Sequence, residues 1–273
     1  MALGALVQIT LGFLVGCLGT LIGAGGGFIL VPLLLLAYHF PPADAVGTSL
    51  ALVFLNALSG SVAYLRQRRV DLSLGWRCAA ATIPGAIGGA YVTKSLSMEW
   101  FSLGFGIVLL GIAGLLFAGR AAAPSRGATV RRLVDAGGGA HHYAVDTWKA
   151  VVLSFVVGGL SSLFGIGGGV IHVPFLIVGL GLPVHVATAT SHFVLSISAL
   201  VGAVTFLALG HVHLPTVIVM GLGILAGAQI GARVSVRAAA DLIRRLLAFA
   251  LGVVGARMIL HSLHLGRMGQ WGW

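Results

Sequence analysis

Four glycines within five residues interrupt an apolar run, and the chain does this twice. Residues 23–27 read Gly-Ala-Gly-Gly-Gly and lead into Phe28-Ile29-Leu30-Val31-Pro32. Residues 165–169 read Gly-Ile-Gly-Gly-Gly and lead into Val170-Ile171-His172-Val173-Pro174. Each glycine costs a helix interior about 1 kcal/mol relative to Ala, so a helix ends or breaks at both places. In lipid the freed backbone groups find no water. Irregular backbone persists there only where protein buries it or where it lines a cavity. Broken helices at corresponding positions of two halves are the sequence pointer to a transporter's binding site.

The lipid setting follows from composition. Of 273 residues, 58% are apolar and 8% charged, against about 25% charged in soluble domains. The expected fold class is an all-α polytopic membrane protein. The net charge of +10 sits in short loops between apolar runs. That reads as membrane orientation rather than nucleic-acid binding. Cys17 and Cys78 both fall inside apolar runs, which supports neither a disulfide framework nor a metal site. The first eight residues have no basic segment, so they do not read as a cleaved signal peptide.

Apolar runs fall at about 3–22, 26–40, 45–65, 72–93 and 99–118, then again at about 147–164, 168–182, 187–209, 214–232 and 240–263. A span needs roughly 20 residues. The last three runs of each half satisfy that, and the first two read as a hairpin with its Gly-rich tip inside the membrane. The halves align without a gap at an offset of 142 residues, which takes Gly25–Gly27 to Gly167–Gly169 and Val31-Pro32 to Val173-Pro174. The same register takes Ala45, Thr48 and Ser49 to Ala187, Thr190 and Ser191, and Gly60 to Gly202. One register held over about a hundred residues marks an internal repeat. The expected organisation is a first transmembrane repeat at 1–118, a linker at 119–146 and a second repeat at 147–273.

Loop charge sets the relation between the halves. Arg66, Arg68 and Arg69 make their loop basic, while its counterpart 209–213 has no Lys or Arg. The next loop reverses this: residues 94–99 balance to zero, and Arg233, Arg237, Arg244 and Arg245 make the counterpart basic. The linker carries Arg120, Arg126, Arg131 and Arg132. Basic loops lie in the cytoplasm. These assignments agree only if each half crosses an odd number of times, as three spans plus a re-entrant hairpin or as five spans. The expectation is therefore inverted repeats, both termini outside, and a linker on the cytoplasmic side. Pro124, Ser125, Gly127, Gly137–Gly139 and the His141-His142 pair make the linker read as a flexible connector. Trp76, Trp100 and Trp148 near run ends read as interfacial anchors.

Every carboxylate (Asp44, Asp71, Glu99, Asp135, Asp146, Asp241) lies at a run end, in a loop or in the linker. A cation pump is expected to carry one inside a span. The interior polar groups are instead neutral and paired by the repeat. Helices opening at Gly27 and Gly169 present free N–H groups and about half a positive charge each. Brought together by pseudo-symmetry, the two ends would hold an anion without a fixed cation. The expected substrate-binding set is Gly25, Gly26, Gly27, Thr48, Ser49 and Asn56, with Gly167, Gly168, Gly169, Thr190, Ser191 and Ser198. Small residues also serve tight helix packing in membranes, which is the reading given to Gly85, Gly88, Gly89, Gly227 and Gly231. His172 replaces Leu30 and His192 replaces Leu50 across the repeat. Each could contact an anion, carry a coupling proton, or simply make one interhelical hydrogen bond while neutral.

The paired segments GAGGGFILVP and GIGGGVIHVP, followed by AVGTS and ATATS, resemble the sulfite exporter TauE/SafE family of membrane permeases over nearly the whole chain. The resemblance implies secondary transport, often export, of small sulfur-containing anions such as sulfite, sulfoacetate or other organosulfonates across a bacterial or archaeal inner membrane. It implies no cofactor and no nucleic-acid partner, and leaves open a homo-oligomer, the exact anion and the direction. Two alternatives stand beside it: a metal or cation permease using His172 and His192, and an anion channel. An enzyme is not expected, because the chain has no His-Glu-x-x-His, no Gly-x-Ser-x-Gly, no Walker loop and no intramembrane Asp pair.

Overall fold

The computed structural model of the chain describes residues 2–118 and 128–269. The first half runs α1 (Ala2–Ile22), α2 (Gly27–Leu36), α3 (Pro42–Arg66), α4 (Leu72–Thr93) and α5 (Met98–Ala118). The second runs α6 (Thr147–Phe164), α7 (Gly169–Pro174, continued by a π-helical turn at Phe175–Gly179), α8 (Val184–Ala208), α9 (Leu214–Arg237) and α10 (Ala240–Gly269). Local chemistry sets the ends. Asp71 accepts from the Leu74 amide to open α4, and Asp146 accepts from the Lys149 amide to open α6. Pro42 occupies the first turn of α3, where its missing N–H is harmless. Among the described residues, α1, α3, α5, α6, α8, α9 and α10 are long and apolar enough to cross a membrane. α4 is as long, with 22 residues, but less apolar. α1 and α6, the entering arms of the two hairpins, could each cross unaided by length.

The packing obeys the repeat. α1 lies along α9 and its counterpart α6 along α4, while α3 meets its own counterpart α8 and α5 meets α10. A Cβ on Gly47, early in α3, would strike Phe206 late in α8; one on Gly60 would strike His192, and one on Gly202 would strike Leu50. α3 and α8 are therefore antiparallel. α5 and α10 are too, since Gly106 lies against Gly255 while Ser262 Oγ donates to the Glu99 carbonyl at 3.1 Å. Close approach explains the small residues along the other two pairs. Gly223, Gly227 and Gly231 of α9 sit on the carbonyls of Ile9, Phe13 and Cys17, and Gly85 and Gly89 of α4 on those of Phe155 and Gly159. Gly88 is a correction to the packing reading, because nothing lies within 4 Å of where its Cβ would be.

The outer surface is apolar, with Ile107, Phe117, Phe155, Leu222 and Phe249 exposed, as hydrocarbon surroundings allow. Trp76, Trp100 and Trp148 are likewise exposed near helix ends.

The linker differs from the flexible reading. Thr129–Val134 (β1) and Ala140–Val145 (β2) pair antiparallel, from Thr129↔Val145 to Val134↔Ala140. The turn at 135–139 is closed by Asp135, whose carboxylate accepts from the Gly137 and Gly139 amides. Tyr143 and Val145 bury against Leu74, Cys78, Leu176, Leu180 and Leu182. Only Leu133, Tyr143 and Val145 among the strand residues turn an apolar side chain inward, too weak a pattern to stand out from the surrounding Gly, Ser and Pro. Arg120, Pro124, Ser125, Arg126 and Gly127 lie outside the described residues.

Three basic segments meet at one end of the molecule. Gln67 Nε2 donates to the Ala232 carbonyl at 3.1 Å, Arg69 Nη1 to Ser235 Oγ at 3.3 Å, and the Ala136 amide to the Gln67 carbonyl at 2.9 Å. The Arg66–Arg69 loop, the end of α9 and the linker hairpin thus share a side.

Candidate functional site

The two Gly-rich segments come together in the centre. Gly23, Gly25 and Gly26 take φ of 79°, 78° and 81°, and Gly165 and Gly167 take 65° and 72°. Those left-handed conformations end α1 and α6 and turn the chain back. The tips touch each other reciprocally. Gly27 lies against the Ile166 and Gly165 carbonyls, and Gly169 against Gly23 and Ala24. Gly25 and Gly167 both rest on Val53 and Leu195, which are themselves repeat counterparts. Ala24, Phe28, Ile166 and Val170 are fully buried. α2 begins at Gly27 and α7 at Gly169. Among the described residues, the amides of Gly26, Gly27 and Phe28, and of Gly167, Gly168 and Gly169, have no backbone acceptor, as is expected around a helix start.

Around the first tip the polar groups form one connected set. Asn56 Nδ2 donates to the Gly25 carbonyl at 2.8 Å. Thr20 Oγ1 donates to Asn56 Oδ1 at 2.6 Å and stands 3.4 Å from His192 Nε2. Tyr64 donates to the Thr20 carbonyl at 2.6 Å, and its ring meets His192 edge-on at 5.6 Å. Thr20, Asn56, Tyr64 and His192 are all fully buried.

The second tip is held differently. Ser49 Oγ donates to the Gly165 carbonyl at 2.9 Å. Ser161, Ser162 and Ser198 are buried with hydroxyls that have no partner among the described residues, and so is Ser191, the counterpart of Ser49. Ser162 and Ser198 are the counterparts of Thr20 and Asn56, and Phe206 replaces Tyr64. The same architecture therefore carries a closed polar network on one side and open hydroxyls on the other.

Not every expected residue joins this centre. Thr48 Oγ1 accepts the His213 amide at 3.0 Å, and Thr190 Oγ1 accepts the Asp71 amide at 3.0 Å. Each threonine thus fastens to a loop of the other half. His172 is buried and bonds to α6: Ser154 Oγ lies 2.8 Å from His172 Nε2 and 2.6 Å from the Ala150 carbonyl. Its Nδ1 has no partner among the described residues. Among the described residues, no three His, Cys, Asp or Glu side chains gather where they could hold a metal ion. Thr20 and Tyr64 were missed from sequence. Tyr64 was marked only by the Tyr-to-Phe difference at its repeat position, and Thr20 by lying one turn before the break.

The hairpin is tied down at the basic end. Arg131 Nη1 lies 2.9 Å from both Asp71 carboxylate oxygens, and Tyr143 donates to Asp71 Oδ2 at 2.9 Å. Burial and the neighbouring Asp71 charge hold the Tyr143 hydroxyl well above its usual pKa.

A family model described as sulfite exporter TauE/SafE matches residues 8–258. The chain is 31% identical over 267 residues to "Probable membrane transporter protein YunE" of Bacillus subtilis, covering 94% of this chain and 98% of that protein. It is 30% identical over 274 residues to a protein of Methanocaldococcus jannaschii also described as a probable membrane transporter, covering 92% and 94%. Over 124 residues it is 29% identical to "Sulfite exporter TauE/SafE family protein 5" of Arabidopsis thaliana, covering 45% of this chain and 27% of that one. No solved structure matches the chain significantly.

Proposed function

The chain belongs to the sulfite exporter TauE/SafE family, a family of membrane transporters and not of enzymes, and on that premise we propose that it is a secondary exporter of small sulfur-containing anions such as sulfite, sulfoacetate or other organosulfonates. The substrate sits between the two Gly-rich tips. One observation carries this reading: two buried helix starts abut, each with three amides lacking a backbone acceptor among the described residues. Buried N–H groups without partners are costly, and an anion at paired helix N-termini satisfies them. No carboxylate lies deep in a span to compete for that position. Ser191 and Ser198, with free buried hydroxyls, add donors; Asn56 and Ser49 position the tips.

The tips are in contact, so a ligand must part them. We read the halves as inverted repeats, on the support of the antiparallel α3–α8 and α5–α10 pairs. Rocking of one half against the other would then expose the tips to each side in turn. The basic end is taken as cytoplasmic, in a bacterial or archaeal inner membrane. An inside-negative potential favours anion exit by about 2.3 kcal/mol per charge per 100 mV, so export needs no coupling ion.

Flux into proteoliposomes tests the proposal. Saturable flux of sulfite or a sulfonate with counterflow is expected. Flux that fails to saturate indicates a channel, and movement of divalent cations alone overturns the anion reading.

A further inference from the structure

Arg69 is 4% exposed, yet among the described residues no carboxylate pairs with it. Its Nη1 donates to Gln67 Oε1 at 3.2 Å and to Ser235 Oγ at 3.3 Å. The guanidinium lies over the Tyr64 ring, 5.7 Å from its centre. A guanidinium has five N–H donors, and those two contacts leave most of the fork unused. Asp135, in the same cavity, attracts the guanidinium only at longer range, and a buried charge without a close counter-charge is unfavourable.

What the fork meets is a cavity of about 350 Å³, lined by Gln67, Arg69, Asp135, His141 and His185 among others. Small-ligand sites span about 300–1,000 Å³. The acid in it is already engaged: Asp135 accepts from the Gly137 amide at 2.9 Å, from the Gly139 amide at 2.8 Å, and stands 3.3 Å from His141 Nε2. His185 Nδ1 is buried and has no partner among the described residues. A neighbouring cavity of about 500 Å³ shares Gln67 with the first and adds Arg233 and Arg237. Cations in a cleft with low-dielectric walls focus a positive field, and the planar Arg fork matches an oxyanion.

We propose that this vestibule at the basic end is a second oxyanion-binding site, with Arg69 as its anchor, where the anion is captured before it reaches the tips. Its role in transport rests on the reading above; the binding itself stands on Arg69 and the cavity. A line of contacts joins the two sites. Arg69 covers Tyr64, Tyr64 holds the Thr20 carbonyl, Thr20 holds Asn56, and Asn56 holds the Gly25 carbonyl of the first tip.

The test places a thiol in the vestibule. Ala136→Cys lines the cavity, in a chain with Cys17 and Cys78 replaced by Ala, in nanodiscs of zwitterionic lipid. The rate of alkylation by iodoacetate is compared with that by neutral iodoacetamide. With Arg69 present, iodoacetate is expected to gain about tenfold relative to its ratio on a free thiol, and sulfate or sulfoacetate to protect saturably. Arg69→Lys keeps protection, and Arg69→Gln raises the protecting concentration at least tenfold. If Arg69→Gln fails to fold, the Arg69 protein alone decides. Unchanged alkylation in every soluble anion overturns the site. Protection by anionic phospholipid nanodiscs alone makes it a headgroup site and overturns substrate capture. Flux of the unlabelled protein is measured in parallel. Flux without protection removes the vestibule and leaves the tips; protection without flux leaves the vestibule and removes the transport reading.

Discussion

Gly27→Ala isolates the contact between the tips. Gly27 has ordinary helical φ, so alanine brings no backbone strain there, unlike a substitution at Gly26 with φ of 81°. What it brings is one methyl group. A Cβ at 27 would lie 2.5 Å from the Gly165 oxygen and also collide with the Ile166 carbonyl. A comfortable carbon–oxygen contact is about 3.3–3.6 Å, so the tips must separate by about 1 Å. Both obstacles are backbone, and neither can turn aside as a side chain could. Overpacking a well-filled core costs about 1–3 kcal/mol, and this site belongs at the upper limit. A 1 Å misplacement at a reacting or binding centre can cost about a hundredfold. We expect thermal stability to fall by roughly 5–10 °C, using about 2–4 °C per kcal/mol, and flux to fall at least tenfold. Gly169→Ala acts from the other side, 2.5 Å from the Gly23 oxygen. The double variant should destabilise by less than the sum, because tips already parted have room for the second methyl. Gly111→Ala in α5, with nothing within 4 Å, is the control and should be neutral or stabilising by up to about 1 kcal/mol. Wild-type melting and flux in Gly27→Ala, or strict additivity with Gly169→Ala, would refute the apposed-tip geometry.

Asn56→Ser gives the first half the residue of the second; it strands the Gly25 carbonyl and the Thr20 hydroxyl, and should lower stability by about 1–3 kcal/mol in thermal unfolding. Asp71→Asn keeps the cap on Leu74 but removes the charge that Arg131 and Tyr143 share. It should cost about 3 kcal/mol and raise amide exchange across 128–146 while leaving α3 and α8 protected. Asp135 has a lowered pKa, first because of the Gly139 amide and then because of His141 and the Gly137 amide. A depressed folded pKa means the carboxylate stabilises the turn above its unfolded value of about 3.9. That contribution is lost as pH falls through the folded value, so protease nicking at the turn should rise in acid. Asp135→Ala should nick equally across that range.

The membrane class, the repeat and the positions of α2 and α7 were legible because each is written in many residues at once. Apolar runs, an unbroken 142-residue register and four glycines in five leave few alternatives. The hairpin was not legible, since two six-residue strands carry too little alternation to outweigh the glycines around them. Thr48 and Thr190 were legible as a pair but not in role: their hydroxyls take loop amides of the opposite half, a contact between residues more than a hundred apart in sequence. Arg69 read as one more cytoplasmic charge. Its burial depends on α9 and the hairpin folding over it, which no local pattern announces.

The register that exposed the repeat also locates its asymmetry. Thr20, Asn56 and Tyr64 stand opposite Ser162, Ser198 and Phe206, and Leu50 stands opposite His192. The first three changes leave the second side with shorter or apolar side chains, whose Ser162 and Ser198 hydroxyls have no partner among the described residues, whereas the fourth gives the second half an imidazole that reaches the network around the first tip. The first tip is therefore pinned through Asn56 and Thr20, while the second is held mainly through Ser49 on the Gly165 carbonyl. Two tips of equal geometry and unequal anchoring do not move equally. Local opening follows the element with fewer bonds to break, so in the proposed cycle the second tip is the one expected to yield first. The two faces also differ: Arg69 and Tyr64 lead to the pinned tip from the basic end, whereas on the other side Phe206 replaces Tyr64 and His211, 2.7 Å from an Asp44 carboxylate oxygen, replaces Arg69. In the proposed cycle, a bias in access would arise from these four residue differences on a shared frame.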